Sequence, residues 1–126
     1  MSAIALPAVT VPELKAEAVH EGEILVLCLT GTADMRASEA LERVLAQVHT
    51  EAQRLGVAQV RVDLRALEFM NSSCLKAFVT WISNVRDAPG EQRYSIHFMS
   101  RPEILWQRRS LHALRCFAVD LITVES

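Results

Sequence analysis

No apolar run in the chain approaches the ~20 residues that a membrane-spanning helix requires. The opening MSAIALPAVTVPEL has neither a basic start nor a continuous apolar stretch of the kind that directs export, so a cytoplasmic protein is expected. A basic excess is missing too: 13 Lys and Arg stand against 15 Asp and Glu, for a net charge of −2 and a pI near 6.1. That balance argues against a nucleic-acid binder. Cysteine is scarce. Cys28, Cys74 and Cys116 are odd in number, widely spaced and set in apolar patterns, which predicts buried free thiols. No C-x-x-C and no Cys/His pair has metal-ligand spacing, and His20, His49, His97 and His112 are scattered. The 4 glycines never gather into a phosphate-cradling loop, and Gly31-Thr32 is a lone glycine turn. No metal and no cofactor is expected. No repeat, low-complexity tract or linker suggests a second domain.

What is present is material for one core: 51% of the 126 residues are hydrophobic and 22% charged. Residues 1–13, with Pro7 and Pro12, have little periodicity and read as an N-terminal arm or a loose first strand. From residue 14 to 126 the pattern is that of a single α/β domain. LKAEAVH alternates weakly, Glu21-Gly22-Glu23 makes a hairpin turn, and ILVLCLTG reads as a central strand buried on both faces. Ser38 reads as an N-cap, followed by Leu41, Val44, Leu45, Val48, Ala52 and Leu55 at helical spacing, with Gly56 placed to end the helix. AQVRVDL is the next strand. Leu75, Phe78, Val79, Ile82 and Val85 mark a second helix from Ser72 to about Arg86, broken by Ala88-Pro89-Gly90. YSIHFM is a strand, Pro102 opens a third helix over 103–117, and AVDLITV closes the chain as a strand. The order ββαβαβαβ predicts a mostly parallel sheet of about five strands with about three helices. The first hairpin adds an antiparallel edge.

The junction FMNSSCLKAF, residues 69–78, carries the chemistry. Functional groups in open α/β sheets gather beyond the carboxyl ends of strands. Asn71 is a natural N-cap, which places Ser72 and Ser73 in the first turn, where spare N–H groups and the helix dipole favour an anion. A phosphoryl group on Ser72 would bring about −1.5 to −2 of charge to that mouth. Lys76, four residues on, is placed to pair with it or with an acid of a partner.

VRVDLRALEFMNSSCLKAFVTWI resembles the phosphorylation segment of the STAS domain family, the bacterial anti-sigma factor antagonists. In that family an apolar strand ends near an Asp, and Asp-Ser-Ser-Gly opens a helix. Here Val62-Asp63-Leu64 looks like the strand end, and Asn71-Ser72-Ser73-Cys74 takes the place of Asp-Ser-Ser-Gly. LVLCLTGTAD is similar to the family's earlier strand, with Gly31 and Asp34 at its exit. The order of elements matches from about residue 14 to 124, whereas the motif spans only about ten residues. The resemblance implies a STAS-like, non-catalytic switch in which Ser72 is phosphorylated by a GHKL-type serine kinase and released by a PP2C-type phosphatase. The bare form would bind the kinase or anti-sigma factor, which is partner switching. Asn71, Ser73, Cys74 and Lys76 would frame the contact surface, and self-association into a homodimer is an alternative. Two residues depart from the pattern: Asn71 for Asp and Cys74 for Gly. Asn caps a helix as well as Asp does, but a carboxylate beside the acceptor is lost. Asn followed by hydroxyl residues is also similar to the SiaC-like regulators, and that resemblance selects Ser72 as well.

Blander readings stand beside these. Ser72 and Ser73 could simply cap a helix, with Ser73 a minor candidate acceptor. Cys74 at a helix start suggests a nucleophile, but no base lies near it in sequence and His97 is distant. Asp34 and Asp63 read as strand-exit carboxylates that accept loop N–H groups. Arg101, Arg108, Arg109, His112 and Arg115, with Glu103 the one acid among them, form a solvated helix face or a site for an acidic partner. Trp81 and Trp106 sit near the edges of their apolar stripes, the usual place of a core rim. The rival functions are a constitutive interaction scaffold whose phosphorylation motif has been lost, and a small enzyme or nucleotide binder.

Overall fold

The structure, a computed structural model, describes residues 2–4 and 14–125. Strands β1 (Ser2–Ile4), β2 (Leu14–Glu21), β3 (Ile24–Ala33), β4 (Gln59–Met70), β5 (Ser95–Met99) and β6 (Ile122–Glu125) form one sheet in chain order. Helices α1 (Ser38–Leu55), α2 (Ser72–Asp87) and α3 (Leu105–Phe117) connect the last four strands. From residue 14 on, the order is the ββαβαβαβ expected. The sheet is mixed: β1–β2 and β2–β3 are antiparallel, and the pairs from β3 to β6 are parallel. Part of the arm is therefore a strand, because Ser2–Ile4 pairs with Ala18–His20; the rest of the arm lies outside the described residues.

Three right-handed crossovers that each step to the next strand in one direction put every helix on the same side of the sheet. The strands record this residue by residue. Leu25, Leu27 and Leu29 of β3, Val60, Val62 and Leu64 of β4, and Ile96 and Phe98 of β5 are buried under the helices. On the other side Val26, Cys28, Asp63 and His97 are half-buried, and Arg61 and Thr123 are exposed. The expectation that β3 is buried on both faces is thus corrected: its apolar run is continuous, but only alternate residues are covered by helices. Phe78 of α2 packs edge-on against Phe98, ring centroids 5.9 Å apart, at the centre of the core.

Local chemistry sets the element ends. Gly22 takes φ 60° at the first position of the β2–β3 turn, a left-handed conformation that a tight hairpin demands there. Gly56, φ 65°, ends α1, and the Val57 N–H reaches back to the Ala52 carbonyl at 3.2 Å. Ser38 is not the N-cap expected of it. Asp34 caps a turn of 3-10 helix (Met35–Ala37) that runs straight into α1, and the Ser38 hydroxyl donates to the Met35 carbonyl at 3.0 Å. Helix α3 begins at Leu105, two residues later than its sequence pattern suggested, after a turn through Pro102 and Glu103.

Strand β4 is longer than AQVRVDL and slips twice in register against β3. Each slip is a β-bulge that turns the next side chains by one position. Leu64, Leu67 and Met70 therefore face the core at a spacing of three, not two. Asp63 consequently sits in mid-strand on the uncovered face rather than at the strand exit. There its carboxylate accepts from the Arg65 N–H at 3.0 Å and from the Arg65 guanidinium at 2.9 and 3.0 Å.

Candidate functional site

The bulged end of β4 delivers Asn71 to the carboxyl edge of the sheet in extended conformation, φ −82° and ψ 173°. Its backbone N–H donates to the Ala33 carbonyl of β3 at 2.9 Å, and its side-chain oxygen accepts from the Cys74 N–H at 3.0 Å. The Leu75 N–H donates to the Asn71 carbonyl at 3.1 Å, the first bond of α2. Asn71 is the N-cap that its sequence position suggested, so Ser72 and Ser73 occupy the first two helical positions, where N–H groups have no partner within the helix. Ser72 is exposed, Ser73 half-buried and Lys76 exposed. Ser72 is therefore an exposed residue at the electropositive start of α2.

Cys74 is placed differently. It is wholly buried, and its thiol donates to the Asp34 carbonyl at 3.3 Å. Its side chain cannot frame a contact surface; it fills the space where the turn after β3 meets α2. Burial pushes the thiol up to about 11, so the thiolate needed for nucleophilic attack is absent at neutral pH despite the helix start. His97 is no base for it, since it lies on the uncovered face. Its ring nitrogens meet the Thr123 hydroxyl at 2.6 Å and the Glu125 carboxylate at 3.2 Å. Asp34 behaves as a strand-exit carboxylate, accepting from the Arg36 N–H at 2.9 Å, and the Arg36 side chain beside it holds its pKa below the ordinary carboxylate value.

Sequence reading missed the apolar surroundings. Met35 (72% exposed), Phe69 (46%) and Leu105 (55%) are three of the five large apolar side chains exposed among the described residues. Each stands at the carboxyl edge of the parallel strands: Met35 after β3, Phe69 at the end of β4, Leu105 at the start of α3. The first turn of α3 is fastened to the end of β4, because the indole N–H of Trp106 donates to the Glu68 carbonyl at 2.7 Å. Gln107, wholly buried, donates to the Leu64 and Leu67 carbonyls at 2.6 and 3.0 Å and accepts from the Arg101 N–H at 2.9 Å. These bonds satisfy carbonyls of β4 beyond Asp63, where β5 no longer pairs with it. The only hint in the sequence was an apolar residue directly after Asp34, where a loop should be polar.

Among the described residues no three His, Cys, Asp or Glu side chains gather as a metal site, and no helix is long and apolar enough to cross a membrane.

A mixed sheet in sequential order, helices on one side and a capped helix start beyond β4 can be compared with known proteins. The sequence matches no protein-family model and no curated protein. Solved structures do match. One is an anti-sigma factor antagonist from Mycobacterium paratuberculosis, 18% identical, with a TM-score of 0.66 over 90% of this chain and 87% of that one. The chain has the STAS fold. A second neighbour, the anti-sigma factor antagonist SpoIIAA in its unphosphorylated form, is 19% identical, with a TM-score of 0.54 over 90% of this chain and 88% of that one. Each STAS neighbour is thus spanned over most of its length, and the likeness is one of fold.

Proposed function

We propose that this STAS domain is a non-catalytic protein-binding switch of the anti-sigma factor antagonist kind, controlled by reversible phosphorylation of Ser72. One observation carries the reading: Ser72 is exposed at the capped start of α2, at the end of the molecule where Met35, Phe69 and Leu105 are also exposed. A bare hydroxyl at that edge is compatible with an apolar contact surface. A phosphate is not, because burying a doubly charged group against apolar side chains costs several kcal/mol even after relaxation. Within the domain itself the helix start offsets a negative charge by roughly 0.3–1 kcal/mol. The modification therefore acts on the partner and not on the fold.

The partners that fit are a GHKL-type serine kinase or anti-sigma factor, which takes the bare form, and a PP2C-type phosphatase, which restores it. The buried, protonated Cys74 supports a binding role over a catalytic one. Half-buried Ser73 and exposed Lys76 flank the acceptor, Lys76 as a cation one turn away. Incubation with a GHKL-type kinase and ATP, followed by intact mass and site mapping, tests the reading. One phosphoryl group on Ser72, lost in Ser72→Ala, is expected, together with weakened kinase capture by Ser72→Asp. Stable partner binding with no phosphate added would favour the constitutive scaffold instead.

A further inference from the structure

The outer side of α3 is set apart by its charge. Over Leu105–Phe117 the helix carries Arg108, Arg109, His112 and Arg115 and not one acidic residue. Leu105, Arg108, Arg109 and His112 fall at i, i+3, i+4 and i+7, so they form a single stripe, which Arg115 and Cys116 prolong. All six are exposed, while Gln107, Leu111 and Leu114 on the opposite side are buried.

The three arginines of this stripe differ from the rest. Arg36, Arg43, Arg54, Arg65 and Arg101 each pair with a carboxylate. Arg61 donates to the Gln59 side chain, Arg93 to the Arg86 and Ala88 carbonyls, and Arg86 lies over the Phe117 ring at 4.5 Å. Among the described residues only Arg108, Arg109 and Arg115 are without such a partner. Two shallow grooves flank them. One of about 430 Å³ is lined by Leu105, Arg108, Arg109 and His112. The other, of about 230 Å³, lies between the stripe and Ser100, Pro102 and Val124.

We propose that this stripe is a docking surface for an acidic segment of a protein partner, with an apolar side chain of that segment seated against Leu105. The positions match those by which a helix presents anchors to a partner, and three uncompensated guanidinium groups select carboxylates. Charge also decides between classes of anion. The helix carries +3 from its arginines in a chain of net −2, so the rest of the molecule carries −5. A nucleic-acid backbone or an anionic lipid surface extends past the stripe and meets that repulsion; a short acidic segment does not. The proposal does not depend on modification of Ser72.

The test is a titration of the ¹⁵N-labelled chain with a short probe peptide of alternating Glu and Leu, beside the same peptide with Gln for Glu, a single-stranded oligonucleotide and phosphatidylglycerol vesicles. Saturable shifts confined to residues 105–116 are expected with the Glu peptide alone. Binding should weaken roughly tenfold in R108E/R109E, since two attractions become repulsions, and several-fold in Leu105→Ser, and stay unchanged in Ser72→Ala. R108Q/R109Q reads the same loss should the reversed pair prove poorly folded by circular dichroism. Shifts spread beyond the stripe, indifference to the arginine changes, tighter binding of the oligonucleotide or the vesicles, self-association occupying the stripe, or no binding at all would each overturn it.

Discussion

The indole N–H of Trp81 donates to the hydroxyl oxygen of Tyr94 at 2.8 Å, with the two side chains only 2% and 3% exposed. Indole can only donate, so the Tyr94 oxygen is the acceptor and its own proton is free to be given on. It goes to Nδ1 of His49, 2.7 Å away. No other acceptor for the Tyr94 proton is found among the described residues, which assigns His49 the neutral tautomer with its proton on Nε2. Burial independently lowers the His49 pKa below its ordinary 6.5. A group whose folded pKa is depressed in this way adds stability above the unfolded pKa and loses it as pH falls. Urea midpoints should therefore decline as the solution is taken from above 6.5 to below it, and His49→Gln should flatten that part of the curve. Tyr94→Phe leaves the buried indole N–H unpartnered and should cost about 1–3 kcal/mol at neutral pH.

The Asn71 cap gives a local prediction. Asn71→Ala should lower stability by about 1 kcal/mol, read as a shift in thermal midpoint, because the Cys74 N–H loses its acceptor. Asn71→Asp keeps the acceptor and adds a favourable charge at the helix start, so it should equal or exceed the parent by up to ~1 kcal/mol.

Gln107 holds the bulged end of β4 against α3. Gln107→Leu strands the Leu64 and Leu67 carbonyls and the Arg101 N–H. A loss of about 2–4 kcal/mol is expected, with faster amide exchange over residues 64–70 before any global unfolding. An unchanged denaturation curve would show that water replaces the side chain.

Thiol chemistry separates the cysteines. Cys116 is exposed, Cys28 half-buried and Cys74 buried with its pKa raised to about 11. Iodoacetamide at neutral pH should alkylate Cys116 first and reach Cys74 only in denaturant, as read by peptide mass mapping.

Met35→Ser with Phe69→Ser probes the apolar edge. Both side chains are exposed, so stability should move by no more than ~0.5 kcal/mol. Binding of a partner that reads Ser72 should fall by about tenfold or more. Retained binding would place the partner's contacts elsewhere.

What the sequence determined by itself lies within a few residues of each decision. Apolar spacing specified the kind and order of elements from residue 14 onward. The Asn-Ser-Ser run specified a capped helix start with Ser72 in its first turn, because capping is a bond between near neighbours. Only the tertiary structure decided which side of the sheet is covered, since that follows from the handedness of crossovers between distant strands. The same holds for Asp63, carried into mid-strand by bulges that arise in pairing with β3, and for Cys74, buried by a turn forty positions earlier in the chain. Met35, Phe69 and Leu105 share one edge of the molecule for that reason too: parallel pairing brings the ends of successive strands together, and no local pattern records it.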